Sequence, residues 1–128
     1  MRKAKLPCPC GGSSYAECCG RWHGGEAAPT AEALMRSRYS AFALGLADYL
    51  LSSWAPATRP TELDLDESPK PKWIGLEVCA HHSNGDEARV EFIARFKVGG
   101  RAGRLHETSR FERIDGRWLY VDGIEHRD

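Results

Sequence analysis

The chain has 128 residues, 41% hydrophobic and 28% charged, which suits one modest domain with a short appendage. Lys+Arg and Asp+Glu are equal at 18 each, which argues against a protein built mainly to grip nucleic acid, while leaving room for a local basic patch. The longest hydrophobic stretch, within Ala41 to Trp54, is broken by Gly45 and Asp48 and is too short to span a membrane. Met1 to Lys5 is basic and lacks the apolar core of a signal peptide, so a cytoplasmic protein without membrane insertion is expected.

In such a compartment cysteines stay reduced, and a dense group of them calls for metal or redox chemistry rather than disulfides. Four of the five cysteines lie between Cys8 and Cys19, in a stretch with almost no apolar periodicity. A segment this short needs a metal or a partner to fold. Zn²⁺ takes a tetrahedral set of thiolates and imidazoles. Cys8 and Cys10 would supply one edge of the tetrahedron across a tight turn, with Gly11, Gly12 and two serines letting the backbone reverse. Cys18 and Cys19 would supply the other edge, and His23 is close enough to replace one of these, Cys19 first. The competing reading is a set of free or redox-active thiols. The Cys-x-Cys spacing is not that of thioredoxin-like chemistry, and the sequence favours one structural zinc per chain.

Thr30 is placed to cap a helix with Glu32 in its first turn, and Met35, Tyr39 and Phe42 repeat at the spacing of one buried helical face. Gly45 interrupts this pattern, and a second helix is predicted over Ala47 to Trp54. Pro56 to Pro71, with four prolines and several acids, reads as a connecting loop with room for a short helical turn at its acidic centre.

From Trp73 the period becomes two. Strands are predicted over Trp73–His82, Ala88–Val98, Arg104–Arg113 and Arg117–Asp122, joined through Asn84-Gly85, Gly99 to Gly103, and Asp115-Gly116. Val90, Phe92, Ala94 and Phe96 share one face of the second strand. Adjacent His81 and His82 point to opposite faces and read as hairpin-flanking residues, and Cys79 as a small buried hydrophobe. The fold class is α+β, helices first and then an antiparallel sheet of at least four strands with the helices on one face.

Cys8-Pro9-Cys10, a Gly/Ser-rich spacer with Tyr15, then Cys18-Cys19-Gly20 resembles the SEC-C motif, the zinc-binding element also found at the C-terminus of the SecA translocation ATPase. Ala28 to Glu32, Leu34 to Phe42, Asp48-Tyr49-Leu50, Trp54 with Pro56, Trp73 to Leu76, Ala94-Arg95-Phe96, Ser109-Arg110-Phe111 and Gly116 to Gly123 resemble the bacterial YchJ family over nearly the whole chain. That resemblance implies a SEC-C knuckle at residues 1–25 followed, over 26–128, by a cone-shaped domain similar to nuclear transport factor two. Two departures stand out. The spacer from Cys10 to Cys18 is one residue shorter than the usual SEC-C form, and no second SEC-C motif precedes Asp128.

Cones of this kind often hold a pocket between sheet and helices. If Phe111 points inward, Leu105, Glu107 and Ser109 share its face, and Trp118 and Tyr120 oppose them from the last strand. Glu107 among aromatics would suit acid or base work, though a rim ion pair with Arg95 or Arg110 is the simpler expectation. Arg36 and Arg38 are expected to pack against acids of the sheet or loop. No Ser-His-Asp or Cys-His arrangement and no phosphate-cradling loop is visible, so no catalytic residue is assigned. A binding or adaptor role leads. Arg2, Lys3, Lys5, Arg21, Trp22 and His23 flank the knuckle with basic and aromatic groups suited to a protein partner, or to RNA. A small-ligand binder or enzyme using the cone is the alternative. Folds of this kind often dimerise through the sheet, so a homodimer is carried as a further expectation.

Overall fold

A computed structural model describes residues 6–66 and 68–127. Three helices, α1 (Cys19–His23), α2 (Ala31–Leu44) and α3 (Ala47–Ser52), precede four strands, β1 (Lys72–Asn84), β2 (Glu87–Val98), β3 (Arg101–Ile114) and β4 (Arg117–Glu125). The strands form one antiparallel meander in the order β1-β2-β3-β4, with the helices before it in the chain, the α+β arrangement expected. Among the described residues no helix is long and apolar enough to cross a membrane.

The start of α2 follows from its cap: the Thr30 Oγ1 accepts from the Ala33 N–H at 3.0 Å, satisfying one of the donors a helix leaves open at its first turn. The helix ends at Gly45, with φ +75°. Met35 and Tyr39 are buried, as the periodicity predicts. Phe42 is not: it stays 37% exposed, because the last turn of α2 overhangs a cavity instead of packed sheet. Two serines are buried completely in its place, Ser37 and Ser40. The helix packs on both sides, on the sheet and on the cysteine segment, so its buried surface is wider than an apolar stripe.

Helix α3 stops two residues before the predicted end at Trp54. Ser53 turns its Oγ back to the Tyr49 carbonyl at 2.7 Å, and Trp54 leaves the helix to bridge Tyr120 in parallel fashion. The Tyr120 N–H donates to the Ser53 carbonyl at 2.9 Å and the Ala55 N–H to the Tyr120 carbonyl at 2.7 Å, so this short segment lines the edge of β4. The acidic loop that follows holds no helical turn among its described residues; Asp64 instead accepts from the Asp66 N–H in a local turn.

In the sheet, Ala88, Val90, Phe92 and Ala94 form the buried face of β2. With Phe111, Leu34 and Met35 they belong to one apolar cluster that also takes in Cys8, Cys10 and Cys19. Burying a side chain such as Val90 or Phe111 contributes about 1.5–3 kcal/mol. The hairpins are tighter than expected. Asn84 still pairs with Glu87, and Val98 pairs with Arg101, which leaves Gly99-Gly100 as the turn and carries Gly103 into β3. Register shifts at Trp73/Gly75 and Val78/Ala80 in β1, and opposite Arg110/Phe111 at Val121 of β4, bend the sheet. The first shift explains why Cys79 is exposed rather than buried: after it Leu76 and Val78 turn inward, and Glu77 and Cys79 turn outward.

Candidate functional site

The cysteine segment is folded by its own backbone before any side chain is considered. The Cys8 N–H donates to the Gly12 carbonyl at 2.9 Å and the Gly11 N–H to the Cys8 carbonyl at 3.0 Å, closing the turn that brings Cys8 and Cys10 together. A Cβ at Gly12 would sit 2.8 Å from the Cys18 Sγ, so only glycine lets the two halves approach. The Sγ atoms of Cys8, Cys10, Cys18 and Cys19 all lie within 4.8 Å of one another, with Cys10 to Cys18 at 3.5 Å and Cys18 to Cys19 at 4.0 Å. A tetrahedron of thiolates around a metal with 2.3 Å bonds has edges of about 3.8 Å, so the cluster fits one ion with little movement. Four soft sulfur donors, three of them buried, suit a thiophilic metal and leave no coordination position for a substrate.

Protons within the cluster are shared unequally. The hydrogen bond from Cys19 pulls the Cys10 thiol down to about 4, burial pushes Cys18 up to about 11, and the same contact with Cys10 pushes Cys19 up. A metal ion bound among the four sulfurs takes the place of the protons they share.

Helix α2 supplies the outer support. The Ser40 Oγ donates to the Cys19 Sγ at 3.3 Å and lies 3.5 Å from the Cys8 Sγ. Arg36 reaches from the same helix to the Cys10 carbonyl at 3.3 Å while its Nε holds Glu32 at 2.9 Å. His23 stands outside the group of mutually close donors, and both its ring nitrogens are occupied. Its Nε2 donates to the Ser37 carbonyl at 2.8 Å, and its Nδ1 is 2.6 Å from the Tyr15 hydroxyl. A carbonyl only accepts, so the Nε2 carries a proton, and the Nδ1 is paired with the Tyr15 hydroxyl. Tyr49 packs edge-on against the same imidazole, centroids 4.5 Å apart, and its hydroxyl lies 2.7 Å from the Ser37 Oγ. His23 is therefore a brace between the knuckle, α2 and α3.

The second feature is a cavity of about 250 Å³ between α2 and the concave face of the sheet. Tyr39, Phe42, Trp54, Trp73, Phe92 and Phe111 give it aromatic walls, and Arg38, Glu107, Ser109 and Tyr120 bring polar atoms to it. Of the residues expected here, Glu107, Ser109 and Tyr120 line the space together with Leu105. Trp118 does not. It pairs with Arg113, two rungs beyond the Phe111–Tyr120 pair, and is buried at the end where Trp22, Ala28 and Leu34 cover the sheet.

Glu107 makes neither of the expected rim pairs. Arg95 holds Glu77 at 3.4 Å, and Arg110 grips Asp122 with two bonds of 2.6 and 2.7 Å. Both partners lie on the outer face, whereas Glu107 points inward and accepts from the Ser109 Oγ at 2.7 Å. Its carboxylate occupies the space a side chain at Gly123 would need, which is what that glycine is for. Arg38 makes no direct ion pair with an acid among the described residues, although the Glu107 charge acts on it through the cavity they share. Its Nη1 donates to the Leu50 carbonyl at 2.7 Å and to the Ser53 Oγ at 2.6 Å, and its guanidinium lies over the rings of Tyr120 and Trp54 at 4.5 and 5.1 Å. Burial lowers Arg38 to about 10 and raises Tyr120 to about 12.

Outside these two sites, the donor atoms of Cys79, Glu91 and His106 also come within 4.8 Å of one another on the outer sheet face. His106 and Glu91 already form a 2.7 Å pair, with His126 stacked on His106 at 4.2 Å. His81, expected only to flank the hairpin, also meets Glu32 of α2 at 3.2 Å. Of the basic and aromatic flank, Arg2, Lys3 and Lys5 lie outside the described residues. Arg21 holds Glu26 with two bonds and covers the Trp22 ring.

A cysteine knuckle clamped on the long helix of a cone, with a cavity beneath that helix, defines an α+β protein of the NTF2-like kind carrying a SEC-C-type knuckle. The family model for the YchJ middle domain, NTF2-like, matches residues 30–123, and the chain belongs to the YchJ family. A UPF0225 protein of Chromobacterium violaceum is 61% identical over 129 residues, covering 96% of each chain, and one of Streptomyces coelicolor is 56% identical over 91% of this chain and 94% of its own. Among solved structures, a SEC-C motif containing protein from Rhodopseudomonas palustris superposes with a TM-score of 0.83 at 34% identity, over 95% of this chain and 100% of that one. A SEC-C motif containing protein from Psychrobacter arcticus gives 0.78 at 31% identity, over 96% and 84%.

Proposed function

We propose that this is a zinc-stapled binding protein, in which Cys8, Cys10, Cys18 and Cys19 hold one structural Zn²⁺ and the cavity between α2 and the sheet receives a small ligand. The observation that carries the reading is the double use of α2. Ser40 faces the thiols, and Arg38, two residues earlier, faces the cavity, so the metal's support and the cavity's polar wall share one helical turn. Bound zinc would neutralise the thiolates and cross-link the turn around Cys10 to α1, with no open position for catalysis. Ser40 and the backbone around Cys8 to Gly12 orient the sulfurs, and His23 links the knuckle to α2 and α3.

A protein partner, or an RNA, docking on the basic and aromatic flank of the knuckle is the second reading. It has less support, since Arg21 is engaged by Glu26 and His23 has no ring nitrogen to spare. Elemental mass spectrometry of the purified chain tests the metal: about one zinc per chain is expected, and a folded, zinc-free protein would sink that half of the reading. For the cavity, Ala94→Leu intrudes on the space from the buried face of β2. Loss of small-molecule binding with zinc content unchanged is expected, and undiminished binding would move the ligand site elsewhere.

A further inference from the structure

Arg38 is a cation 94% removed from solvent with no ion pair among the described residues. A guanidinium has five donors, and Arg38 uses only its Nη1, on Leu50 and Ser53 of α3. Among the described residues the Nε and Nη2 make no hydrogen bond. They are not sealed in apolar packing either, because no described side-chain nitrogen or oxygen is both fully enclosed and without a partner. The open space that Arg38 borders is the cavity.

The chemistry of that unused edge is narrow. Nε and Nη2 form the side-on fork of the guanidinium, two parallel donors matched to the two oxygens of a carboxylate. The same fork is used twice elsewhere in this molecule: Arg110 sets it on Asp122 and Arg21 sets it on Glu26. In Arg38 the plane of the fork is fixed by the Tyr120 and Trp54 rings on which it rests. Glu107 does not fill it, since its carboxylate is turned to Ser109 and lies against Gly123. The remaining walls are aromatic, and 250 Å³ is below the usual range for drug-sized ligands, which limits the occupant to about a dozen non-hydrogen atoms.

We propose that the cavity binds a small monocarboxylate with an apolar body, its carboxylate lying in the plane of the Arg38 fork and its body against Tyr39, Trp73 and Phe111. This rests on the reading of the cavity as a binding site. Three molecules with one body and different heads separate the two claims: 3-phenylpropanoate, 3-phenylpropanamide and 3-phenylpropylamine. Each is titrated into the zinc-loaded full chain by calorimetry and by the fluorescence of Trp54 and Trp73, which line the space.

The acid is expected to bind at least tenfold more tightly than the amide, with the amine weakest. Arg38→Gln should erase the difference between acid and amide. Because Arg38 also ties α2 to α3, Glu107→Gln provides a variant that leaves those bonds intact; removing a negative charge from the wall should tighten the acid severalfold and leave the amide unchanged. Amide or amine binding as tightly as the acid would overturn the carboxylate assignment and leave the cavity as the binding site. No heat and no fluorescence change with any of the three at millimolar concentration would overturn both.

Discussion

The knuckle and the cone are stabilised by opposite means. In the cone, long-range strand pairs place Ala88, Val90, Phe92 and Ala94 against α2, and the energy is distributed over many apolar contacts. In the knuckle, α1 is five residues long with no side-chain cap at its start, and what it buries is sulfur. A five-residue helix does not persist in water unaided. The difference teaches where single substitutions act: in the cone a lost side chain is averaged over its neighbours, while in the knuckle one lost donor removes the centre.

The largest expected effect follows directly. Cys10→Ser should take the zinc content from about one per chain to near zero and cost several kcal/mol, because structural zinc binding in small motifs is worth on the order of 10 kcal/mol. Metal analysis with thermal unfolding checks both. The matching change in the cone, Val90→Ala, should cost about 2–3 kcal/mol and leave the zinc in place. A fall in metal content there would mean that the two regions are one cooperative unit.

Ser40→Ala tests the contact between them. Two thiols lose their hydroxyl partner, and zinc affinity is expected to drop ~10–100-fold in a competitive chelator titration. Gly123→Ala should cost about 1–2 kcal/mol in denaturant unfolding, as the new methyl displaces the Glu107 carboxylate from Ser109. The smallest effect is expected at the outer face. Arg110 holds the Asp122 carboxyl below its ordinary value, so this pair stabilises the protein above the unfolded carboxylate pKa and stops doing so as pH falls through the folded one. Asp122→Asn should therefore flatten the acid side of a Tm-against-pH curve slightly and leave neutral pH almost unchanged, since exposed pairs contribute little.

Much of this architecture could be read from the residues, and the failures have physical causes. The four cysteines were legible because nothing else in residues 8–19 could hold a fold together. Strand periods from Trp73 onward gave the meander, but not the bulges, since a one-residue slip leaves no mark in composition; Cys79 was misread for that reason. Alternation alone puts Trp118 beside Tyr120 in the cavity, whereas the register places it two rungs deeper. The most informative residues, Ser37, Arg38 and Ser40, do not look like core. A helix buried on two sides, one of them lined by sulfur, puts hydroxyls and a guanidinium where periodicity expects leucine. The signal available was the run Ser37-Arg38-Tyr39-Ser40, polar residues on both sides of a core aromatic in mid-helix.

The bends in β1 have a consequence for the molecule's behaviour in company. β1 is the outermost strand, and among the described residues no other strand pairs with its free side. A long straight border of unmet backbone donors and acceptors would recruit neighbouring chains into a growing ribbon. The two slips divide the register of β1 into runs of two, four and five pairs, and each break turns the following stretch out of line. At the opposite border, Ser53 to Ala55 lie along β4 at Tyr120. The meander is thus interrupted at one rim by irregularity and lined at the other by a short cover, so the open four-stranded sheet presents no long regular edge.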